Sequence, residues 1–269
     1  MAGKQSADLG DVQQTLFIPL AARAAQTRRK HPALRDHKAV EILEAVDVDA
    51  LYAAHPGGFV TIARTLMFDW WVREFLAAHP GGTVVELGTG LNTRFERVDN
   101  GQCHWIDLDL PDTIEVRRRF FADTDRRQMV AASVLDDSWQ EVAAACPAPY
   151  FFVSDGVLVY LPQDEVKSAL GRIATRFGGS LLAFDTYGRP TYERQHALAA
   201  KRGMAARWAW WCDDPRTLED AGLRVIDSRP FTRPQAGLRK ELPARYRWLL
   251  PLTDPVLRTA CTLTLFRAG

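Results

Sequence analysis

The chain has 269 residues, 47% of them apolar and 25% charged, and 34 Lys and Arg against 33 Asp and Glu leave a net charge of +1. These are the proportions of a folded globular protein; they exclude a disordered chain, a collagen and a coiled coil, and no global basic field points to nucleic acid. No apolar run reaches the roughly 18–20 residues of a membrane span, and Cys103, Cys146, Cys212 and Cys261 stand too far apart for a CxxC or zinc-ligand spacing, so neither a disulfide framework nor a metal site is expected.

Residues 1–10 (MAGKQSADLG) read as a disordered tail. Pro19 and Arg23 interrupt the only apolar N-terminal stretch, so no secretory signal is read and the expected compartment is the reducing cytoplasm. Residues 11–79 read as mostly helical, with helices expected over 15–27, 37–46 and 60–78, the last a long amphipathic helix. It stops at His79-Pro80-Gly81-Gly82. The pattern then changes to short apolar runs at 83–87, 103–108, 129–132, 150–154 and 180–184, with helical stretches such as 112–121 and 163–177 between them. Strands alternating with helices predict βαβ units and a mainly parallel sheet. A polar, Arg-rich insertion follows, and after a helix near 215–221 come two late strands, 223–228 and 260–266, which fit an antiparallel edge.

Charge is unevenly spread. Residues 1–38 carry seven cationic and three anionic side chains, residues 229–269 eight and two, and the middle segment is acidic. Solvated faces account for this pattern; it also suits Arg and Lys from both termini meeting an anionic ligand held by the middle segment.

Three motifs carry chemistry. In Glu86-Leu87-Gly88-Thr89-Gly90 an apolar strand runs into a glycine turn, where positive φ and the missing Cβ let a ligand lie against the backbone. Thr93 stands where a third glycine would complete a dinucleotide fingerprint, and no GKS or GKT follows; a strand ending in E-x-G-x-G suits a nucleoside without phosphates. About 20 residues later a second apolar strand ends in Asp107-Leu108-Asp109. Residues 107 and 109 share a face, either can accept from ribose hydroxyls, and Asp109 is nearer the ligand-binding strand end. The third motif is the strand at 150–154 emerging into Asp155-Gly156, an acid able to face the positive end of a cofactor.

On the segments 15–24 (TLFIPLAARA), 34–40 (LRDHKAV), 63–65 (ART), 85–94 (VELGTGLNTR), 107–111 (DLDLP) and 155–161 (DGVLVYL), the chain resembles the leucine carboxyl methyltransferase superfamily, in its bacterial tetracenomycin-type polyketide O-methyltransferase branch. The resemblance runs from about residue 14 to 266. It implies a Rossmann-like class I methyltransferase fold, with a mainly parallel seven-stranded sheet, helices on both faces, a helical cap over 1–79 and a core over 80–269 that carries a lid insertion at about 185–216. It implies S-adenosylmethionine as cofactor and S-adenosylhomocysteine as product. Carried over residue by residue, it implies Arg64 at the cofactor carboxylate, with Arg23 near the same end. Gly88 falls under the methionine, with Glu86 and Gly90 in the same turn, and Asp109 on the ribose. Ser133 and Val134 fall at the adenine, and Asp155 near the amino group. Asp155 stands where relatives usually have Glu, and Asn92 where Asp is more usual.

The implied reaction is methyl transfer to a carboxylate or hydroxyl of a small aromatic, polyketide-type acceptor, with no nucleic-acid or membrane partner. A carboxylate needs no base; for a hydroxyl, His196 and His104 are the candidates. Tyr160 and Tyr187, just past the fourth and fifth strands, are expected at the acceptor, and Trp208, Trp210 and Trp211 are suited to stacking on it. Two other readings use parts of the pattern. An NAD(P)-linked oxidoreductase is opposed by the missing third glycine and the lack of a Tyr-x-x-x-Lys pair. A catalytically inactive SAM-fold binding protein is opposed by the intact set Arg64, Gly88, Gly90 and Asp109.

Overall fold

A computed structural model describes residues 13–47 and 58–269; the tail expected over 1–10 lies outside them. A 3-10 turn, Gln13–Leu16, leads into helix α1, Phe17–Thr27, and α2, His37–Ala45, follows with Asp36 as its N-cap, accepting from the Ala39 N–H at 2.9 Å. Helix α3 spans Gly58–Ala78. It is buried over most of its surface rather than along one stripe, because α1 packs on it from one direction and the sheet from another.

The strands are β1 Thr83–Leu87, β2 His104–Asp109, β3 Arg127–Ala131, β4 Tyr150–Ser154, β5 Leu181–Thr186, β6 Leu223–Pro230 and β7 Thr262–Ala268. Among the described residues they form one sheet in the order β3-β2-β1-β4-β5-β7-β6. The first five are mutually parallel, and β7 runs antiparallel to both β5 and β6. All five residues of β1 are buried, as a central strand covered on both faces requires. On one face Met67, Phe68, Trp71 and Phe75 of α3 pack with Val84, Trp105, Phe151 and Val153. On the other, Val85, Ile106, Phe152 and Leu182 pack with Trp139 of helix α6, Ser138–Ala144, and with Val166, Leu170 and Ile173 of helix α7, Gln163–Arg176. Two short helices, α4 Arg94–Val98 and α5 Pro111–Arg117, complete the first half.

Chain order reverses between β1 and β4, which opens a crevice beyond the carboxyl ends of these strands. Helix α1 closes it on one side: Phe17, Leu20 and Ala24 pack with Leu91, Ile114 and Phe121. On the other side the insertion folds as helix α8, Arg189–Lys201, and an extended return that ties back through the N–H groups of Ala209, donating to the Val159 carbonyl at 2.8 Å, and Cys212, donating to Tyr187 at 2.8 Å. Two helices between β6 and β7, α9 Ala236–Glu241 and α10 Ala244–Leu257, have no counterpart in the elements expected from sequence. The four cysteines are free. Among the described residues no helix is long and apolar enough to cross a membrane, and no cluster of His, Cys, Asp and Glu can hold a metal.

Candidate active site

The crevice encloses a cavity of about 370 Å³. Arg23, Arg64, Gly88, Gly90, Asp109, Ser133, Val134, Asp155, Tyr160, Tyr187 and His196 all line it. They come from eight separate stretches of chain, gathered by the strand order.

Gly88 and Gly90 take φ of +70° and +52° in the turn after β1. A Cβ on Gly88 would lie 2.5 Å from both Cγ atoms of Val157, in the loop after β4, so this wall is set at backbone distance. The N–H groups of Gly88 and Thr89 donate to the Leu108 carbonyl at 2.8 and 2.9 Å, which locks the turn onto β2.

The two acids at the end of β2 separate by depth. Asp107 is fully buried and accepts from Thr89 Oγ1, Trp105 Nε1, Arg117 Nη2 and Arg127 Nε at 2.7–3.1 Å. Its pairs with Arg117 and Arg127 hold its carboxyl below the ordinary range against the effect of burial. Asp109 faces the cavity. Its partners are the N–H groups of Gly90 (2.6 Å) and Leu110 (2.8 Å), and it forms no ion pair among the described residues. Burial therefore raises its carboxyl, only partly offset by those two donors. Its remaining lone pairs are turned toward whatever fills the cavity.

Beside it, Leu108, Leu110, Ala132 and Val134 make a slot with an apolar lining. The side chain of Ser133 accepts from the Leu135 N–H (3.1 Å), and its own N–H donates to Asp136 (2.9 Å). Ser133 thus shapes the wall through its turn.

At the opposite end Arg64 reaches down from α3. Its Nε lies 2.5 Å from Asp155 Oδ1, and its Nη1 donates to Asp185 Oδ2 at 2.9 Å and to the Tyr187 hydroxyl. Burial pulls this guanidinium down, but Asp155, Tyr187 and Asp185 outweigh it and hold it well above its ordinary value. Asp155 also accepts from Arg94 Nη2 at 2.9 Å. Behind this wall, Arg94 pairs with Asp69 and Glu86, Arg97 bridges Asp69 and Asp36, and Arg23 closes on Asp36 at 2.9 Å while donating to the Leu91 carbonyl at 2.8 Å. Pairs this deep cost desolvation as they form; what they supply is a rigid, pre-oriented wall.

Glu86, expected among the cofactor contacts, belongs to this scaffold and is not among the residues lining the cavity. It is 1% exposed, and its Oε1 accepts from Asn92 Nδ2 (2.6 Å) and from Arg94. Burial pushes its carboxyl up to about 7 despite the neighbouring Arg94.

The third part of the cavity lies under the insertion. Tyr160, Tyr187, Trp208, Thr191, His196, Arg194 and Arg207 line it. Tyr187 packs on Trp208 with ring centroids 4.4 Å apart. Of the three tryptophans suited to stacking only Trp208 lines this space: Trp210 is buried in the core, and Trp211 is half-exposed against Tyr192. His196 Nε2 sits 2.7 Å from the Trp208 carbonyl, which only accepts, so Nε2 carries the proton and Nδ1 is the basic nitrogen. His104 opens β2, at the strand end away from the cavity. Sequence reasoning named no role for Asp185, one residue from the end of β5, or for the cavity-lining Gln13, Leu16 and Ile18, although the last two fall in the 15–24 segment that carries the resemblance.

A model of the leucine carboxyl methyltransferase family matches residues 17–174. The tetracenomycin polyketide synthesis O-methyltransferase TcmP of Streptomyces glaucescens is 31% identical over 250 residues, covering 89% of this chain and 92% of that protein. Two solved structures share the fold: a DUF574 family protein from Streptomyces avermitilis (TM-score 0.56, 14% identity, 93% of this chain and 97% of that one), and the magnesium protoporphyrin IX methyltransferase of Synechocystis with bound S-adenosylhomocysteine (TM-score 0.51, 10% identity, 87% and 94%). With its seven-stranded sheet and its cavity at the crossover of that sheet, the chain belongs to the leucine carboxyl methyltransferase family and is an S-adenosylmethionine-dependent methyltransferase.

Proposed function

We propose that the chain is an O-methyltransferase whose acceptor is a small aromatic molecule of polyketide type carrying an anionic group. The observation that carries this reading is the continuity of one cavity from the Gly88–Asp109 end to the aromatic and cationic space under α8. The described residues between 13 and 79 act as its cap and 185–216 as its lid.

The residues present fit S-adenosylmethionine. Asp109, a cavity-facing carboxylate without a cation, suits a pair of ribose hydroxyls. The slot around Ser133 and Val134 suits adenine, through contacts and backbone groups. Gly88 and Gly90 leave backbone exposed for the chain linking ribose to amino acid. Arg64 suits the carboxylate through Nη2, the nitrogen that Asp155, Asp185 and Tyr187 leave without a partner among the described residues, with Arg23 behind it, and Asp155 suits the ammonium. When bound, the cofactor supplies an electrophilic methyl on a sulfonium.

The remaining work of this chain is to align an acceptor oxygen and exclude water. Tyr160, Tyr187 and Trp208 offer aromatic faces. Arg194 and Arg207 line the acceptor end, and neither pairs with a carboxylate among the described residues. Two unpaired cations there favour an acceptor carboxylate, which is an anion at neutral pH and needs no base. For a hydroxyl acceptor, Nδ1 of His196 is the group able to take the proton. The name of the Streptomyces glaucescens relative supports the polyketide class.

The test is transfer of labelled methyl from S-adenosylmethionine to a panel of polycyclic aromatic acids, their methyl esters and the matching phenols. Turnover of the acids and none of the esters lacking a free hydroxyl is expected. Turnover restricted to phenols would shift the reading to a hydroxyl acceptor with His196 as base, and no turnover of any aromatic would overturn the acceptor class.

A further inference from the structure

Asp185 has no part in the functions assigned so far, yet it stands where three elements of the site meet. It lies one residue from the end of β5, at the carboxyl edge of the sheet, and is 3% exposed. Its Oδ1 accepts from the Gly156 N–H at 2.8 Å, which pins the loop that carries Asp155. Its Oδ2 accepts from Arg64 Nη1 at 2.9 Å and from the Tyr187 hydroxyl at 2.6 Å. The Tyr187 oxygen in turn accepts from the same Arg64 nitrogen, so guanidinium, carboxylate and phenol close a triangle. Burial holds the Tyr187 hydroxyl well above its ordinary value, so it stays protonated and remains a donor to Asp185.

This triangle has one consequence for Arg64. A guanidinium on a long side chain has many rotamers, and ordering it at the moment of binding costs affinity. Asp155 fixes it at Nε and Asp185 at Nη1, and the fork is further confined by Gly156, where an added Cβ would lie 3.0 Å from Nη1 and Nη2. We infer that Asp185 is a positioning residue for cofactor binding: it holds Arg64 and the Gly156 loop in the orientation that receives the amino-acid end of the cofactor, and through Tyr187 it ties that orientation to the acceptor wall at Trp208. The inference rests on the reading of Arg64 as the receptor of the cofactor carboxylate.

The substitution Asp185→Asn tests it, because it keeps one oxygen for the Gly156 N–H but sets an NH₂ donor against the Arg64 donor. Titration calorimetry on the full chain compares S-adenosylhomocysteine with 5′-methylthioadenosine, which keeps the adenosine half and lacks the amino-carboxylate. The expected result is about tenfold weaker S-adenosylhomocysteine binding, the cost of one charged hydrogen bond, with 5′-methylthioadenosine unchanged within twofold. In turnover the KM for S-adenosylmethionine rises while kcat changes less. Asp185→Glu, which restores the carboxylate, recovers part of the loss.

Equal weakening of both ligands would mean a general loosening of the site and would overturn the inference, as would no change in either. Should Asp185→Asn fail to fold, Tyr187→Phe removes only the hydroxyl of the triangle. A loss confined to S-adenosylhomocysteine then supports the inference, and an equal or absent loss overturns it. Arg64→Gln separates the two levels: if it leaves S-adenosylhomocysteine affinity intact, the reading of Arg64 itself fails. If it weakens binding while the Asp185 variants do not, only the positioning role fails.

Discussion

Gly88 and Val157 face each other so closely that a single methyl group on the glycine would sit 2.5 Å from the valine's two Cγ atoms. The contact joins the turn after β1 to the loop after β4, the two sides of the crevice. Because Gly88 also has φ +70°, Gly88→Ala incurs both a steric clash and a left-handed backbone, the latter alone roughly 1–2 kcal/mol. The variant is expected to bind S-adenosylhomocysteine at least tenfold more weakly in calorimetry; wild-type affinity would mean that this wall does not contact cofactor.

Asp109 offers a second handle on the same end. Asp109→Ala is expected to lower cofactor affinity by about 10–100-fold, the range of one or two hydrogen bonds to a charged group, with little change in Tm. The variant gives up only two hydrogen bonds, from Gly90 and Leu110, and no ion pair among the described residues. Since burial raises its carboxyl and the ionised form is the better acceptor, affinity is expected to fall as pH drops toward the carboxylate range. A flat affinity profile from pH 7 to 4.5 would remove Asp109 from the ribose.

The buried pairs behind the cavity make a stability prediction. Asp36 accepts from Arg23 and Arg97 and caps α2. Asp36→Asn leaves two buried guanidiniums short of a counter-charge, a change of about 3–5 kcal/mol by analogy with other broken buried pairs. Urea unfolding is the measurement, and a loss under about 1 kcal/mol would mean that the network is solvated.

Glu86 gives the pH dependence its sign. Its carboxyl is raised from 4.5 to about 7 by burial, so the folded protein holds a proton that the unfolded chain releases. That contribution is fully present below pH 4.5 and is lost as pH rises toward about 7. Glu86→Gln imitates the protonated state at every pH. Relative to wild type it is expected to be more stable at pH 7.5 than at pH 5, by up to about 3 kcal/mol. An equal stability difference at both pH values would mean that Glu86 is ionised throughout.

Arg194→Ala and Arg207→Ala probe the acceptor. Each is expected to raise the KM for an anionic acceptor roughly five- to tenfold, the worth of a partly exposed charge-assisted contact, with cofactor affinity unchanged. An unchanged acceptor KM in both variants would remove the argument for an anionic acceptor.

Much of this was legible in the sequence. Strand β1 falls at 83–87 in both readings because five apolar-flanked residues lie between a Pro-Gly-Gly stop and a glycine turn. The antiparallel edge followed from two late strands, 223–228 and 260–266, that neighbour each other in the sequence. Helix α10 was hidden because Pro251 and Pro255 read as breakers, yet it runs through both on the surface of the molecule. The choice between Asp107 and Asp109 was not available from strand periodicity, since both share a face. Arg117 and Arg127, brought in from α5 and β3, pair with Asp107 and leave Asp109 as the acid facing the cavity. The surroundings of Glu86 were hidden for the same reason. An acid at a strand end reads as a ligand until Arg94, eight residues on, folds back to meet it. Asp185 offered only its place at a strand end, because two of its three partners, Gly156 and Arg64, lie 29 and 121 residues away.

The most direct test of the site is a crystal structure of the chain with S-adenosylhomocysteine. The expected density runs along the β1–β4 crevice, with both ribose hydroxyls on Asp109, the adenine in the slot at Ser133 and Val134, and the carboxylate on Arg64. A nucleoside bound elsewhere, or bound there with its carboxylate away from Arg64 and its ribose away from Asp109, would contradict the assignment.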